Sequence, residues 1–333
     1  MDIEQPSSTP SASFEPRQNL TALNEATQRV RSEIGKIIVG QSKMIDLLLA
    51  AILSDGHILI EGVPGVAKTL AAKLLARSLS VSFSRLQFTP DLMPSDVLGT
   101  SVFNAKTTEF EFRKGPIFAN LVLIDEINRA PAKTQAALFE SMEERQVTID
   151  GTSYPLNPPF LVVATQNPIE QEGTYRLPEA QLDRFLFKIN VHYPSQEDEI
   201  NMLTGFHARE GKNDLSLIQP VLSAEEVSAF QDQVRKLHIS PGIISYIVEL
   251  VNSTRNNRDL YLGASPRASI NLMSGAKAIA AMRGRDFVTP EDVQYVSGPI
   301  LEHRVVLTPE KEMEGGTAEE VIRQIVASVE VPR

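Results

Sequence analysis

The chain has no cysteine among its 333 residues. Disulfides, thiolate zinc sites and cysteine nucleophiles are therefore excluded. It has no apolar run of about 18 residues, so no membrane-inserted helix is expected. The segment Met1–Pro16 is rich in serine and proline and lacks an apolar h-region, so no signal peptide is expected there. Positive charge is also in short supply: 32 Lys and Arg stand against 42 Asp and Glu, a net charge of −10. That balance argues against nonspecific binding to nucleic acid or to anionic membrane. A soluble, cytoplasmic protein is the expectation these absences leave.

What is present suits a globular fold. Hydrophobic residues make up 42% and charged residues 22%, values that support a packed core, and the length accommodates two domains. Residues 1–17 read as a disordered tail, because Pro6, Ser7, Ser8, Thr9, Pro10 and Ser11 cannot build a packed element. A helical face comes next at Leu20, Leu23, Ala26, Val30, Ile34 and Ile37, and a second helix is predicted over Ser42–Leu53. Five short apolar runs then suit buried parallel strands: His57–Glu61, Phe83–Phe88, Leu121–Asp125, Phe160–Thr165 and Phe185–Val191. Helical patterns such as Lys68–Ser78 and Lys133–Arg145 alternate with them, which predicts an α/β fold with a five-stranded parallel sheet over residues 18–193.

Two insertions read as hairpins. One spans Thr100–Lys114; the other spans Gln146–Leu156, with Asp150-Gly151 as its turn. From Pro194 the strands cease, and residues 194–333 read as an all-helical domain. Helix starts there are signalled by Ser223-Ala-Glu-Glu226 and by Thr289-Pro290-Glu291-Asp292. The acidic segment Glu310–Glu320 reads as a solvated loop.

Gly62, Val63, Pro64, Gly65, Val66, Ala67, Lys68 and Thr69 come after a strand and open the helix that begins at Leu70. Small residues there let backbone N–H groups wrap a phosphate, and the helix N-terminus adds a favourable dipole. Lys68 would reach the β- and γ-phosphates of ATP and Thr69 would ligate Mg²⁺. Ala67 stands where the usual pattern has glycine; helical dihedrals are expected to suffice for it. The strand Leu121–Ile124 ends in Asp125 and Glu126, one carboxylate for the metal and one for the attacking water. Asn167 ends another buried strand, where a side-chain amide can meet a γ-phosphate or a water. Arg184 ends a predicted helix over Leu177–Phe185 and can stabilise charge on a transferred phosphoryl group. Alone, Asn167 reads as a turn residue and Arg184 as half of a surface Asp/Arg pair. Ser265 and Pro266 suit the start of a helix, which would let Arg267 reach a nucleotide across an interdomain cleft.

In this order the motifs resemble the MoxR family of AAA+ ATPases. The segments that carry the resemblance are Gly62–Thr69 (its alanine included), Leu123–Pro131, Ala164–Pro168, Glu179–Phe185 and Gly263–Arg267. The resemblance extends over roughly Asn19–Val329. It implies a P-loop NTPase core with a helical lid, ATP and magnesium as cofactors, and ATP hydrolysis. Asn167 takes the sensor 1 role, Arg184 the arginine finger acting on a neighbouring subunit's ATP, and Arg267 the sensor 2 role of the lid. Ile38, Val39, Gly40 and Gln41 are similar to the segment that packs against adenine. The resemblance further implies a homo-oligomeric ring, usually a hexamer, and chaperone-like remodelling or assembly of a client protein, metal-cofactor insertion included. A partner carrying a von Willebrand A domain often accompanies such relatives. A magnesium-chelatase-like motor subunit is an alternative. A nucleic-acid motor stands well behind, since the hairpin tips Asn104–Thr108 and Asp150–Thr152 are poor in basic and aromatic residues. A non-enzymatic adaptor is disfavoured by the joint presence of Lys68, Asp125, Glu126, Asn167 and Arg184.

Overall fold

A computed structural model describes residues 18–63, 65–167, 175, 177–210 and 215–332. The expected disordered tail, Pro64 and Pro168 lie outside the described residues.

Five strands form one parallel sheet: β1 His57–Gly62, β2 Phe83–Gln87, β3 Leu121–Asp125, β4 Leu161–Gln166 and β5 Phe185–Val191. Their order across the sheet is β2–β3–β4–β1–β5. The three central runs are apolar because helices and loops cover both faces; β3 is buried at every position. β2 departs from the expected burial. It is the sheet's edge, and Ser84, Leu86 and their neighbours stay partly or wholly exposed. The sheet's order places β4 between β1 and β3, so the loops that leave the carboxyl ends of these three strands are neighbours along one edge.

The helix Thr21–Gly35 buries Leu23, Ala26, Val30 and Ile34, and the helix Ser42–Leu53 is apolar nearly all round because it lies between the sheet and the C-terminal helices. Both hairpins form. Gly99–Asn104 pairs with Glu109–Lys114, and Gln146–Ile149 pairs with Thr152–Pro155. The second turns through Asp150 and Gly151, whose φ values of 49° and 77° match a tight primed turn.

After β5 the fold is helical, apart from a short antiparallel ladder between Leu260–Leu262 and Val306–Leu307 that no sequence pattern signalled. The Ser223 cap is reciprocal. Its hydroxyl accepts the Glu226 N–H at 3.2 Å, and the Glu226 carboxylate accepts the Ser223 N–H at 2.7 Å. The segment Glu310–Glu320 is not a loop throughout. It holds the helix Pro309–Met313 and the start of the helix Ala318–Ser328, which buries Val321, Ile322 and Ile325. Among the described residues no helix is long and apolar enough to cross a membrane.

Candidate nucleotide site

The phosphate loop joins β1 to the helix Lys68–Ser78. Gly65 has φ +89°, a conformation open to glycine, and a Cβ on Gly62 would come within 2.7 Å of the Val191 carbonyl oxygen. Ala67 does not adopt helical dihedrals. It is left-handed, with φ 63° and ψ 20°, because the chain must reverse before the helix can start. The expectation that helical geometry accommodates this alanine is thus corrected. The Lys68 ammonium donates to the Gly62 carbonyl and, at 3.4 Å, to that of Gln166, the last residue of β4.

Beside the loop, the Thr69 hydroxyl donates to Asp125 Oδ1 at 3.1 Å. Thr165 on β4 also donates to that oxygen, at 3.3 Å, and Arg85 on β2 holds Oδ2 at 2.7 Å. Glu126 comes next in a left-handed conformation (φ 57°, ψ 52°), its N–H donating to Thr165 Oγ1 at 3.1 Å. That turn lifts its carboxylate off the strand line, where Oε2 accepts from Gln87 at 2.7 Å and meets Arg129 Nε at 2.8 Å. Asn167 is buried one residue past β4. Lys68, Thr69, Asp125, Glu126 and Asn167 therefore converge at the carboxyl ends of three adjacent strands.

An apolar cavity of about 630 Å³ opens beside the loop. Ile37, Ile38, Val39, Gln41, Val66, Ala67 and Leu70 form one wall; Tyr193, Met202, Leu203 and Phe206 form the other. Met202, Leu203 and Phe206 come from the helix Gln196–Ala208, which buries none of its own residues in the protein. Gly40 does not line this cavity. It faces a neighbouring one with Gln41, Lys188 and Glu302.

Arg184 and Arg267 lie elsewhere. Both line a polar cavity of about 210 Å³ together with His57, Asp55, Glu143 and Arg145. His57 begins β1 and Gly62 ends it, so this cavity sits at the amino ends of the strands, roughly 16 Å from the phosphate loop at about 3.3 Å per residue. Arg267 pairs with Glu143, and Arg184 Nε lies 4.0 Å from the same carboxylate while its Nη1 donates to the Phe139 carbonyl at 2.6 Å. The expected reach of Arg267 to its own chain's nucleotide is corrected. The helix Pro266–Met282 packs along Ser42–Leu53, and this directs its first turn to the far end of the sheet. The predicted helix before Arg184 shrinks to the single turn Glu179–Leu182.

The chain matches the model of the ATPase family associated with various cellular activities over residues 57–187, and the model of the AAA lid domain over 252–325. It is similar to the uncharacterised protein YeaC of Bacillus subtilis, at 49% identity over 90% of this chain and 92% of that one. A crystal structure of a protein from Cytophaga hutchinsonii superposes with a TM-score of 0.86 at 44% identity, covering 94% of this chain and 97% of that one. It is also 43% identical to the chaperone MoxR1 of Mycobacterium tuberculosis, over 95% of this chain and 85% of that protein. The chain belongs to the MoxR family of AAA+ ATPases.

In this MoxR chain the donor set beside the phosphate loop suits magnesium. Thr69 and Asp125 offer a hydroxyl and a carboxylate 3.1 Å apart, both oxygen ligands of the hard type that ion prefers, beside the loop that would bring phosphate oxygens. Several residues beside this candidate site escaped the sequence reading. Arg85 and Gln87 were visible only as polar residues two apart on one strand, the spacing that turns both toward Asp125 and Glu126. The apolar residues Met202, Leu203 and Phe206 sit on a helix three and four apart, which reads as core and turns out to wall a cavity.

Proposed function

We propose that the chain hydrolyses ATP to ADP and phosphate, with magnesium, at sites completed by a neighbouring subunit of a ring, and spends the cycle on remodelling partner proteins. The observation that carries this is the separation of the two charged groups. The phosphate-binding and carboxylate side chains sit at one end of the sheet, and Arg184 and Arg267 sit at the other. One chain cannot bring both to a single phosphate, whereas two chains placed end to end can.

In this reading Lys68 and the loop N–H groups bind the phosphates, and the cavity between Val39 and Phe206 takes the adenine. Magnesium held by Thr69 and Asp125 would neutralise charge on the β- and γ-phosphates. Glu126 accepts the proton of the attacking water, and Gln87 and Arg129 hold its carboxylate until substrate arrives. Asn167 orients the water or the γ-phosphate. A neighbour's Arg184 and Arg267 meet the charge that develops on the transferred phosphoryl group. The two units in this reading are the core, residues 18–193, and the lid, residues 194–333. The need for ATP assigns this activity to the cytoplasm.

The hairpin Gly99–Lys114 is the part suited to touch a client. Phe103 and Phe110 pair across it, edge to face at 5.4 Å, and both are exposed, Phe110 at 74%. The hairpin's charges nearly balance, Glu109 and Glu111 against Lys106, Arg113 and Lys114, so it presents no strongly basic surface to a nucleic-acid backbone. The chaperone name carried by the Mycobacterium tuberculosis relative supports a protein client, and the family supports a hexamer and a von Willebrand A domain partner.

Steady-state ATP hydrolysis against protein concentration, for the wild type and Arg184→Ala, tests the reading. Specific activity that rises with concentration and is lost in the variant is expected. Activity that is independent of concentration, or that survives in the variant, would sink the shared site. Lys68→Ala should abolish binding, and Glu126→Gln should keep binding while slowing turnover roughly 10²- to 10⁴-fold.

A further inference from the structure

Arg304 is among the most buried charged side chains of the protein, with 1% of its side chain exposed. Its Nε donates to Asp183 Oδ1 at 2.7 Å. Its Nη2 donates to the backbone carbonyls of Asp183, at 3.0 Å, and Phe185; its Nη1 donates to those of Ile300 and, at 3.4 Å, Leu186. Nη1 also lies 2.7 Å from Nε2 of His303, a ring that burial and the neighbouring guanidinium keep neutral. One side chain thus grips the backbone on both sides of Arg184.

The second carboxylate oxygen of Asp183 accepts from the Ser265 hydroxyl at 3.3 Å. Ser265 occupies the cap position of the helix that carries Arg267, yet its hydroxyl does not cap that helix; it is given to Asp183 instead. Asp183 is therefore tied to the lid twice, at Arg304 and at Ser265, and Arg184 is the next residue. Simple stability does not require such an arrangement, since well-packed apolar side chains often serve a buried position as well as an ion pair does. The fork of a guanidinium does supply what an apolar residue cannot, a fixed direction for several acceptors at once.

We infer that Arg304 is a positioning residue. Through Asp183 and the backbone of residues 183–186 it locks Arg184 to the lid, so that Arg184 and Arg267 are presented to a neighbour's nucleotide as one rigid pair. The inference rests on the reading of Arg184 as acting between subunits.

The test uses full-length Arg304→Lys, which keeps the charge and loses the fork, with Asp183→Asn as a second variant should the first not fold. The expected result is a KM for ATP within about twofold of wild type and a kcat reduced roughly 10- to 100-fold, as for a catalytic group displaced by about 1 Å. Mixing the variant with Glu126→Gln subunits should restore part of the turnover. The Glu126→Gln subunit supplies an intact arginine pair to a site whose own Glu126 is intact. An unchanged kcat overturns the inference. So does a mixture that stays inactive when Arg184→Ala mixed with Glu126→Gln regains activity, because Arg304 would then serve only its own subunit's fold. Failure of both mixtures would instead remove the reading of Arg184, and the inference with it.

Discussion

At the entry to the phosphate-loop helix, Ala67 holds a left-handed conformation that costs a residue bearing a Cβ roughly 1–2 kcal/mol. Ala67→Gly should remove that strain. Its cost in the flexibility of the unfolded chain is smaller, so a gain of up to about 1 kcal/mol is expected in urea unfolding. A loss of stability would mean that packing of the alanine methyl group against the core outweighs the backbone term. Glu126 carries the same kind of strain, with φ 57°, just past the end of its strand, where its carboxylate leaves the strand line.

Among the elements, the helix Pro290–Leu301 starts on the most heavily tied carboxylate of the lid. Asp292 is fully buried, accepts from Arg283 at 2.8 Å and from Arg285 at 2.6 Å, and takes the Thr289 N–H at 3.0 Å. Asp292→Ala should cost about 3 kcal/mol in denaturant unfolding, the lower end for a broken buried pair, because both arginines keep access to water. A cost under about 1 kcal/mol would show that the arginines find other partners. The start of this helix was legible, since Thr289, Pro290 and Asp292 are a local signal within four residues. So were the strands of the sheet and the phosphate loop, whose patterns are contiguous. The ladder Leu260–Leu262 with Val306–Leu307 was not, because two or three residues show no period. The meeting of Arg184 with Arg267 on Glu143 was hidden for a different reason. It depends on how the lid's helices lie against Ser42–Leu53, and no local pattern records that angle.

For the whole molecule, His57 and His303 set a pH limit. Burial holds both rings well below their ordinary value of 6.5, assisted by Arg145 beside His57 and Arg304 beside His303. Well above pH 6.5 neither the folded nor the unfolded chain protonates them. Below it the unfolded chain takes up protons that the folded chain refuses, so stability falls with pH by up to about 1.4 kcal/mol per unit for each ring. The melting temperature should therefore drop between about pH 7 and about pH 5.5; a flat profile would mean that the rings charge inside the fold. The same molecule has unlike ends. In the proposed reading, phosphate-binding groups close one end of the sheet and guanidinium groups the other, so the subunit would be a link with a hook and an eye. Any assembly that joins hook to eye is head-to-tail, and it leaves two unsatisfied ends unless it closes on itself. The angle between successive links then sets how many make a circle. A substitution that alters this angle while sparing every proposed nucleotide-binding residue would turn the proposed ring into an open spiral, with turnover expected at each inner junction and none at its ends.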